Sequence, residues 1–404
     1  MSKKIMIIGV LWEQLPLVEK AKELGLKTIV TTIWDKNKID ADVIYEIDSR
    51  NLEKLEEVYI KEKPDAIIAD ECDYSTYAVA FLTDKYNLPG PSLYPLTVTN
   101  NKFLQRSLVG ETDVHQPQYQ LCWNYECVKS AANKIGFPVI LKPIDNRGSI
   151  GVLIAESEDT LRDAWFNSVS NSHSRMCIVE EFIKGGHIAV DGFVDSKKFH
   201  ALCVSTKQKY PESIILDKIL HFPGFLDEKK VEEAIETVKK IINAIKIGYG
   251  FIHAEFIIQE ETKKIYLLEI ANRGGGVHIS NKILPQITGI DIQKAFIEMA
   301  LGKEINLEWE GKHINKVLIY FVNPQGDKTP KQIVDQYKEK LLALWIKPKK
   351  TLKNIKTLGA LGRAGMGILW GDNFKELNEM GIKIEKDISN VEQEFYWGGK
   401  YYGS

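Results

Sequence analysis

Short apolar runs alternate with amphipathic stretches over the first hundred residues. Ile5–Val10 (IMIIGV) reads as a buried strand, and Gln14–Leu24 reads as a helix with Leu15, Val18, Ala21 and Leu24 on its apolar face. Thr28–Thr32, Val43–Ile47 and Ala66–Ala69 read as further strands, with a charged helix at Leu52–Lys61. This alternation implies parallel βαβ units and a Rossmann-like sheet. After Gly9 come Val10, Leu11 and Trp12 in place of a GxGxxG fingerprint, which argues against a bound dinucleotide.

Pro89-Gly90-Pro91 punctuates the chain, and the pattern then changes. Hairpin-like pairs now alternate with helices, which points to antiparallel sheets. The clearest helix is Asp227–Ile247, with Val231, Ala234, Ile235, Val238, Ile241, Ile242 and Ile245 at helical spacing. From about Asn306 the pattern gives strands at Val317–Val322 and Gly365–Gly371 and a helix near Lys331–Leu342.

Composition narrows the function classes. The 404 residues suffice for two or three domains, and 44% apolar with 27% charged residues fits a globular protein with a full core. A formal net charge of −2 gives no global field for nucleic acid or anionic membrane, so neither is expected as a partner. Ile5–Leu11 is strand-length rather than a signal-peptide core, and no window is apolar enough to span a bilayer. Cys72, Cys122, Cys127, Cys177 and Cys203 show no CxxC or zinc-like spacing and read as free thiols in a reducing cytoplasm.

The strongest chemical signal is a pair of acidic strands. Phe251–Ile258 (FIHAEFII) and Ile265–Ala271 (IYLLEIA) flank a polar turn, Gln259–Lys264. A hairpin symmetric about Thr262 pairs Glu255 with Glu269 and His253 with Ala271. Carboxylates directly opposite on a sheet repel, so something must compensate. A divalent cation does so, and oxygen ligands suit Mg²⁺ carrying nucleotide phosphates. A solvent-facing pair, or one protonated carboxyl, is the alternative.

Asn272-Arg273-Gly274-Gly275-Gly276-Val277-His278 follows at once: a guanidinium fork and close-approach glycines, suited to an anionic ligand. Upstream, Lys142 ends the apolar run Val139–Leu141, and Asp145-Asn146-Arg147-Gly148-Ser149-Ile150-Gly151 forms a loop whose N–H groups can cradle phosphates. Lys102 opens a helix-like stretch, where most lysines are merely solvated. Cys177–Ile183 ends in acids, and its edge could hold an adenine ring or be an ordinary strand–turn. Asp70-Glu71-Cys72-Asp73 ends a βα-type strand, either as a ligand site or as an acidic helix N-terminus.

In this order the pieces resemble the ATP-grasp superfamily, in the branch of biotin carboxylase, the purine-pathway carboxylases and ligases, and the L-amino acid ligases. The resemblance implies an α/β and α+β chain: a Rossmann-like pre-ATP-grasp domain (1–95), an ATP-grasp domain (96–305) with a lid subdomain at about 125–190, and a small mixed α/β C-terminal domain (306–404). Lys102 and Lys142 resemble the lysines that neutralise the α- and β-phosphates, and Arg147-Gly148-Ser149 the lid over the triphosphate. Glu180 and the backbone of Glu181, Phe182 and Ile183 resemble the adenine hinge, and His187 the ribose contact. Glu255 and Glu269 match the Mg²⁺ ligands, with Mn²⁺ the alternative ion. Arg273 matches the catalytic arginine, and Gly274, Gly275 and Gly276 the substrate loop. Many relatives read Glu-x-Asn-x-Arg, the Asn being a third metal ligand. Here Ala271 takes that place, as in some purine-pathway members, and Asn272 should face the other side.

The implied function is a cytoplasmic, ATP-dependent carboxylate–amine ligase. A carboxylate is activated as an acyl phosphate, an amine displaces phosphate, and ADP is released, with positioning and charge neutralisation carrying the transfer. A bicarbonate-activating carboxylase and a non-catalytic ATP sensor are the alternatives, and a homodimer is compatible with the resemblance. Two expectations go with it: Asp145–Ile150 is mobile without nucleotide, and Glu269→Gln abolishes turnover while relieving repulsion.

Overall fold

The computed structural model describes residues 2–195, 198–211, 213–347, 362–389, 394–397 and 400–402. The first strands are β1 (Lys4–Ile7), β2 (Lys27–Thr32), β3 (Val43–Glu46) and β4 (Ala66–Ile68), an all-parallel sheet in the order β3-β2-β1-β4. Helix α1 (Leu15–Glu23) joins β1 to β2, a 3-10 turn at Lys36–Lys38 lies between β2 and β3, α2 (Leu52–Glu62) joins β3 to β4, and α3 (Asp73–Tyr86) follows β4. Ile5 and Ile7 share one core with Leu17, Val18 and Ala21, while Met6 and Ile8 share another with Leu55, Val58, Ala78 and Leu82. Both faces of β1 are covered, which explains its unbroken apolar run. The strand is shorter than Ile5–Val10 because the chain turns at Gly9 (φ 74°) into a single 3-10 turn, Trp12–Gln14.

Helices α4 (Leu93–Thr99) and α5 (Lys102–Val109) lead into a second, antiparallel sheet: β5 (Tyr119–Cys122), β6 (Val139–Pro143), β7 (Leu153–Ala155) and β8 (Cys177–Glu181), in the order β5-β8-β6-β7. Helices α6 (Tyr125–Ile135) and α7 (Glu158–Ser170) pack on it through Val128, Ala131, Ala132, Leu161 and Ala164. The loop between β6 and β7 carries Asp145–Gly151.

The third sheet is the frame of the molecule. Its strands begin with β9 (Gly185–Val194), β10 (Phe199–Tyr210), β11 (Ser213–Phe222), β12 (Gly250–Gln259) and β13 (Ile265–Ala271). They continue with β14 (Lys316–Val322), β15 (Leu341–Ile346), β16 (Gly365–Gly371), β17 (Glu394–Trp397) and β18 (Lys400–Tyr402). The spatial order is β13-β12-β9-β10-β11-β14-β16-β15-β17-β18. Strands of the C-terminal region thus extend the same sheet, because β14 pairs with β11 from Ile219–Tyr320 to Phe222–Val317. Helices α8 (Glu228–Ile245), α9 (Leu284–Thr288, preceded by a π-helical turn at Ile279–Ile283), α10 (Ile292–Ala300), α11 (Pro330–Tyr337) and α12 (Phe374–Asp387) pack around these sheets.

Two expectations change here. The helix near Lys331–Leu342 stops at Tyr337, and Leu341 and Leu342 open β15, whose continuous apolar run LLALWI pairs with β16. Helix α12 was not among the predicted elements, although Asn373 caps it by accepting from Lys375 N, and Phe374, Leu377 and Ile384 are buried along it. Residues 348–361, part of the expected C-terminal domain, lie outside the described residues.

Candidate active site

Glu255 on β12 directly opposes Glu269 on β13, and His253 opposes Ala271. The hairpin is not symmetric about Thr262, however. Just beyond Glu255 the register slips, so Phe256 meets Leu267 and Ile257 meets Tyr266. Leu268 is the extra residue of this bulge, and its carbonyl accepts from Arg106 Nη2 at 2.7 Å. Glu255 also pairs with Ala189 of β9, which pairs with Ser205 of β10; Ile257, His187 and Lys207 form the next in-phase row. Period-two alternation therefore puts Glu269, Glu255, His187 and Lys207 on one face.

That face is one wall of a cavity of about 530 Å³, whose lining includes Lys102, Lys142, Arg147, Gly148, Ser149, Glu180 through Ile183, His187, Glu255, Glu269, Arg273 and Gly276. Each glutamate has a lysine. Glu255 accepts from the buried Lys207 and from His253 Nε2 (3.2 Å), and Glu269 pairs with Lys102 at 3.0 Å. Against the cost of burial, Lys207 and His253 hold the Glu255 carboxyl well below its usual range. Burial also works against a charged His253, yet Asp191 Oδ1, 2.7 Å from its Nδ1, takes it up to about 9.

Lys142 does not point freely at solvent. Its Nζ donates to Glu180 Oε2 at 2.6 Å, and Arg106 Nε donates to Glu180 Oε1 at 2.8 Å. Although burial opposes ionisation, Arg106 and Lys142 hold Glu180 down at about 2. Both oxygens of this expected hinge residue are thus engaged by protein, and the cavity edge beside it consists of Glu181, Phe182 and Ile183. His187 also reaches the cavity, and burial drops it to about 3, so it is neutral at ordinary pH.

The β6–β7 loop, expected as the lid, is folded against the start of α3. Asp145 is tied by Ser172, His173 and Ser174, while Arg147 donates to Cys72 Sγ at 2.7 Å and lies 4.6 Å over the Tyr74 ring. Gly151 (φ 77°) closes the loop where a Cβ would fall 2.7 Å from both Pro143 and Asn171. All five cysteines are free.

Arg273 is oriented by Asp73 (Nε–Oδ1 2.8 Å) and by the carbonyl of Gly274 (2.8 Å). The acidic residues after β4 and one in the 3-10 turn after β1 hold the glycine loop: Asp70 accepts from Gly274 N (2.7 Å), Glu71 from His278 N (3.2 Å), and Glu13 from Val277 N (2.7 Å). Glu71 keeps a positive φ of 57° under these bonds, and burial pushes the carboxyls of Glu13, Asp70 and Glu71 up. At Gly275 a Cβ would lie 2.7 Å from Ile279 and 2.8 Å from His253 Nδ1, so the backbone runs directly under the imidazole.

Ala271 lines the cavity, while Asn272 points away from it, donating to the carbonyls of Tyr249 (2.8 Å) and Phe251 (3.0 Å). Among the described residues no group of three or more His, Cys, Asp and Glu is arranged around a metal position. The donor set is therefore two carboxylates on adjacent strands, which suits a hard cation completing its shell with phosphate and water oxygens.

Several cavity residues were not singled out by sequence reasoning: Arg106, Lys207, Lys209, Asp217 and Arg363. Lys207 and Lys209 could have been found, since STKQK places charges on alternate positions of a strand. Arg106 and Arg363 carry no such signal. No described helix is long and apolar enough to cross a membrane.

Residues 135–281 match the ATP-grasp domain family. The chain is 25% identical over 278 residues to a formate-dependent phosphoribosylglycinamide formyltransferase of Bacillus velezensis, covering 67% of this chain and 71% of that one. It is 24% identical over 303 residues to an uncharacterised protein of Sinorhizobium fredii, covering 72% of this chain; the match spans 62% of that relative's length. In structure it resembles an L-amino acid ligase from Bacillus licheniformis, with a TM-score of 0.80 at 18% identity over 96% of this chain and 98% of that one. The stretch that matches the ATP-grasp domain family thus carries the opposed glutamates, the lysine near the end of β6 and the glycine-rich loop after it, and the chain as a whole has the fold of the L-amino acid ligase.

Proposed function

We propose that this protein is an ATP-dependent ligase that activates a substrate carboxylate as an acyl phosphate and joins it to an amine, releasing ADP and phosphate. The observation that carries the reading is the Glu255–Glu269 pair, facing the same cavity as Lys102, Lys142 and Arg273. In this reading Lys102 and Lys142 exchange their present carboxylate partners in part for α- and β-phosphate oxygens, and the backbone edge at Glu181–Ile183 takes adenine. His187, being neutral, can accept from a ribose hydroxyl. Glu255 and Glu269 would hold Mg²⁺, which supplies charge neutralisation at the phosphates. Arg273, kept in one orientation by Asp73, faces the oxygens where negative charge accumulates, and the Gly274–Gly276 backbone lies beside it. The domain division that accompanies this reading is 1–95, 96–305 and 306–404, with the lid at about 125–190.

Hydroxylamine trapping tests it. Incubation with Mg·ATP, a panel of carboxylic acids and hydroxylamine should yield a hydroxamate and ADP in equal amounts for the right acid class. ADP release that depends on bicarbonate and is indifferent to added amine would favour a carboxylase instead. ATP binding without ADP release under any combination would reduce the protein to a sensor.

A further inference from the structure

We infer that Cys122 and Cys127 form a reversible dithiol site, which small organic disulfides such as glutathione disulfide oxidise by closing a Cys122–Cys127 bond. The site belongs to the β5-β8-β6-β7 sheet and the helix packed on it. Neither residue lines the large cavity, so the pair is independent of the ligase reading.

Local structure brings the two sulfurs together. Strand β5 ends at Cys122, and Trp123 and Asn124 turn the chain into α6. Asn124 caps that helix by accepting from Cys127 N at 2.8 Å, which draws the first turn of α6 back over the strand end. Cys127 Sγ then lies 3.2 Å from Cys122 Sγ and 3.5 Å from the Leu121 carbonyl. A disulfide needs about 2.05 Å between its sulfurs, so the remaining approach is about 1 Å, within reach of small side-chain rotations.

The two thiols differ in access. Cys122 is fully buried in the core that includes Val128, Ala132, Val139 and Cys177, and Cys127 packs against that core from outside. Of the five cysteines, Cys127 alone is not buried. Burial, with Cys127 beside it, pushes the Cys122 thiol up. Cys127 is therefore the thiol that meets an incoming disulfide, and Cys122 is the one held behind it.

The exchange runs in two steps. Cys127 loses its proton and attacks one sulfur of the small disulfide, whose S–S bond breaks and whose departing half leaves with a proton as a free thiol. Cys122 Sγ, losing its proton in turn, attacks Cys127 Sγ of the mixed disulfide, and the second small thiol leaves. Two protein thiols are thereby oxidised by two electrons, and one small disulfide is reduced to two thiols. The new bond ties the end of β5 to the first turn of α6 across Trp123, Asn124, Tyr125 and Glu126. So short a loop gains little from closure, which keeps the bond easy to reduce.

The test is thiol mapping of the full chain after incubation with glutathione disulfide, acid quenching, alkylation and tryptic digestion. No Lys or Arg separates Cys122 from Cys127, so both fall in one fragment, residues 107–129. That fragment should lose two hydrogens and escape alkylation, and dithiothreitol should restore both thiols. Cys122→Ser should stop at the mixed disulfide on Cys127, and Cys127→Ser should slow oxidation of Cys122 about tenfold or more. If Cys122→Ser fails to fold, the mass of the parent fragment decides alone. A glutathione adduct that persists on Cys127 in the parent overturns the pair. So does a bond from Cys122 to Cys177, which lies opposite it on β8 and falls in a different fragment, or a fragment that remains fully alkylated.

Discussion

Glu255 and Glu269 face each other across β12 and β13 although the ladder slips by one residue immediately beyond them, at Leu268. The bulge confines the irregularity to the solvent end of the hairpin and leaves the acidic pair in phase. Each carboxylate is matched by a lysine, Lys207 and Lys102 respectively, so the repulsion anticipated from the sequence is already answered within the protein. Glu269→Gln should therefore abolish ATP turnover with no gain in stability, its unfolding free energy staying within about 1 kcal/mol of the parent. Steady-state ADP release and urea unfolding measure both, and turnover near that of the parent would remove the metal assignment.

Arg106, Lys142 and Glu180 form a buried triad whose loss should be felt by the fold. Glu180→Gln leaves two buried cations without their acceptor and should cost about 3–5 kcal/mol. The pH dependence has a definite sign. The folded-state value, about 2, lies below the ordinary 4.5, so the contribution is fully present above pH 4.5 and is lost as pH falls toward 2. Thermal unfolding across that window should drop more steeply in the parent than in Glu180→Gln.

Arg273 owes its aim to Asp73. Arg273→Ala should lower kcat by about two to three powers of ten, as removal of an oxyanion donor does elsewhere. Asp73→Asn keeps the guanidinium but loosens it, and should give a smaller loss in kcat with little change in the KM for ATP. A larger effect at Asp73 than at Arg273 would assign the carboxylate a role of its own.

Tyr74, at the start of α3, clasps the β6–β7 loop and the segment after α7, through Arg147 above its ring and its hydroxyl 2.9 Å from His173 Nε2. Tyr74→Phe removes the hydrogen bond and should raise the KM for ATP about fivefold; Tyr74→Ala removes both contacts and should raise it about tenfold or more. Hydrogen exchange in the β6–β7 loop should quicken in the same order. Identical values for the two variants would show that the ring contact contributes nothing.

Nucleotide affinity should depend on the cation. Calorimetry with ATP should show at least about tenfold weaker binding when Mg²⁺ is chelated, and the difference should vanish in Glu255→Gln/Glu269→Gln. Metal-independent affinity in the parent would count against the two-carboxylate site.

Much of this was legible in local pattern. The run IMII announced a strand covered on both faces, and the alternation in FIHAEFII and IYLLEIA put Glu255 and His253 on one face of their strand and Glu269 and Ala271 on one face of theirs; the Glu255–Glu269 pairing read from a turn centred on Thr262 holds although that centre does not. The displacement of Asn272 to the far side followed from the same period of two, and its bonds to the Tyr249 and Phe251 carbonyls agree. These properties travel along the chain, because side-chain direction on a strand is set by the backbone alone.

Charge partnership does not travel that way. Arg106 and Glu180 are 74 positions apart, Arg273 and Asp73 are 200, and Gly274 and Asp70 are 204. Nothing local marks Arg106 as the partner of Glu180. The helical reading of Leu341–Leu342 failed for the same reason: their fate was decided by a free strand edge on β16, which no window of sequence contains. The sequence alone determined which residues could carry the chemistry and on which face each would lie. Only the tertiary structure decided which of those charges would be paired, because pairing depends on distances between segments that the packed core, not the local backbone, brings together.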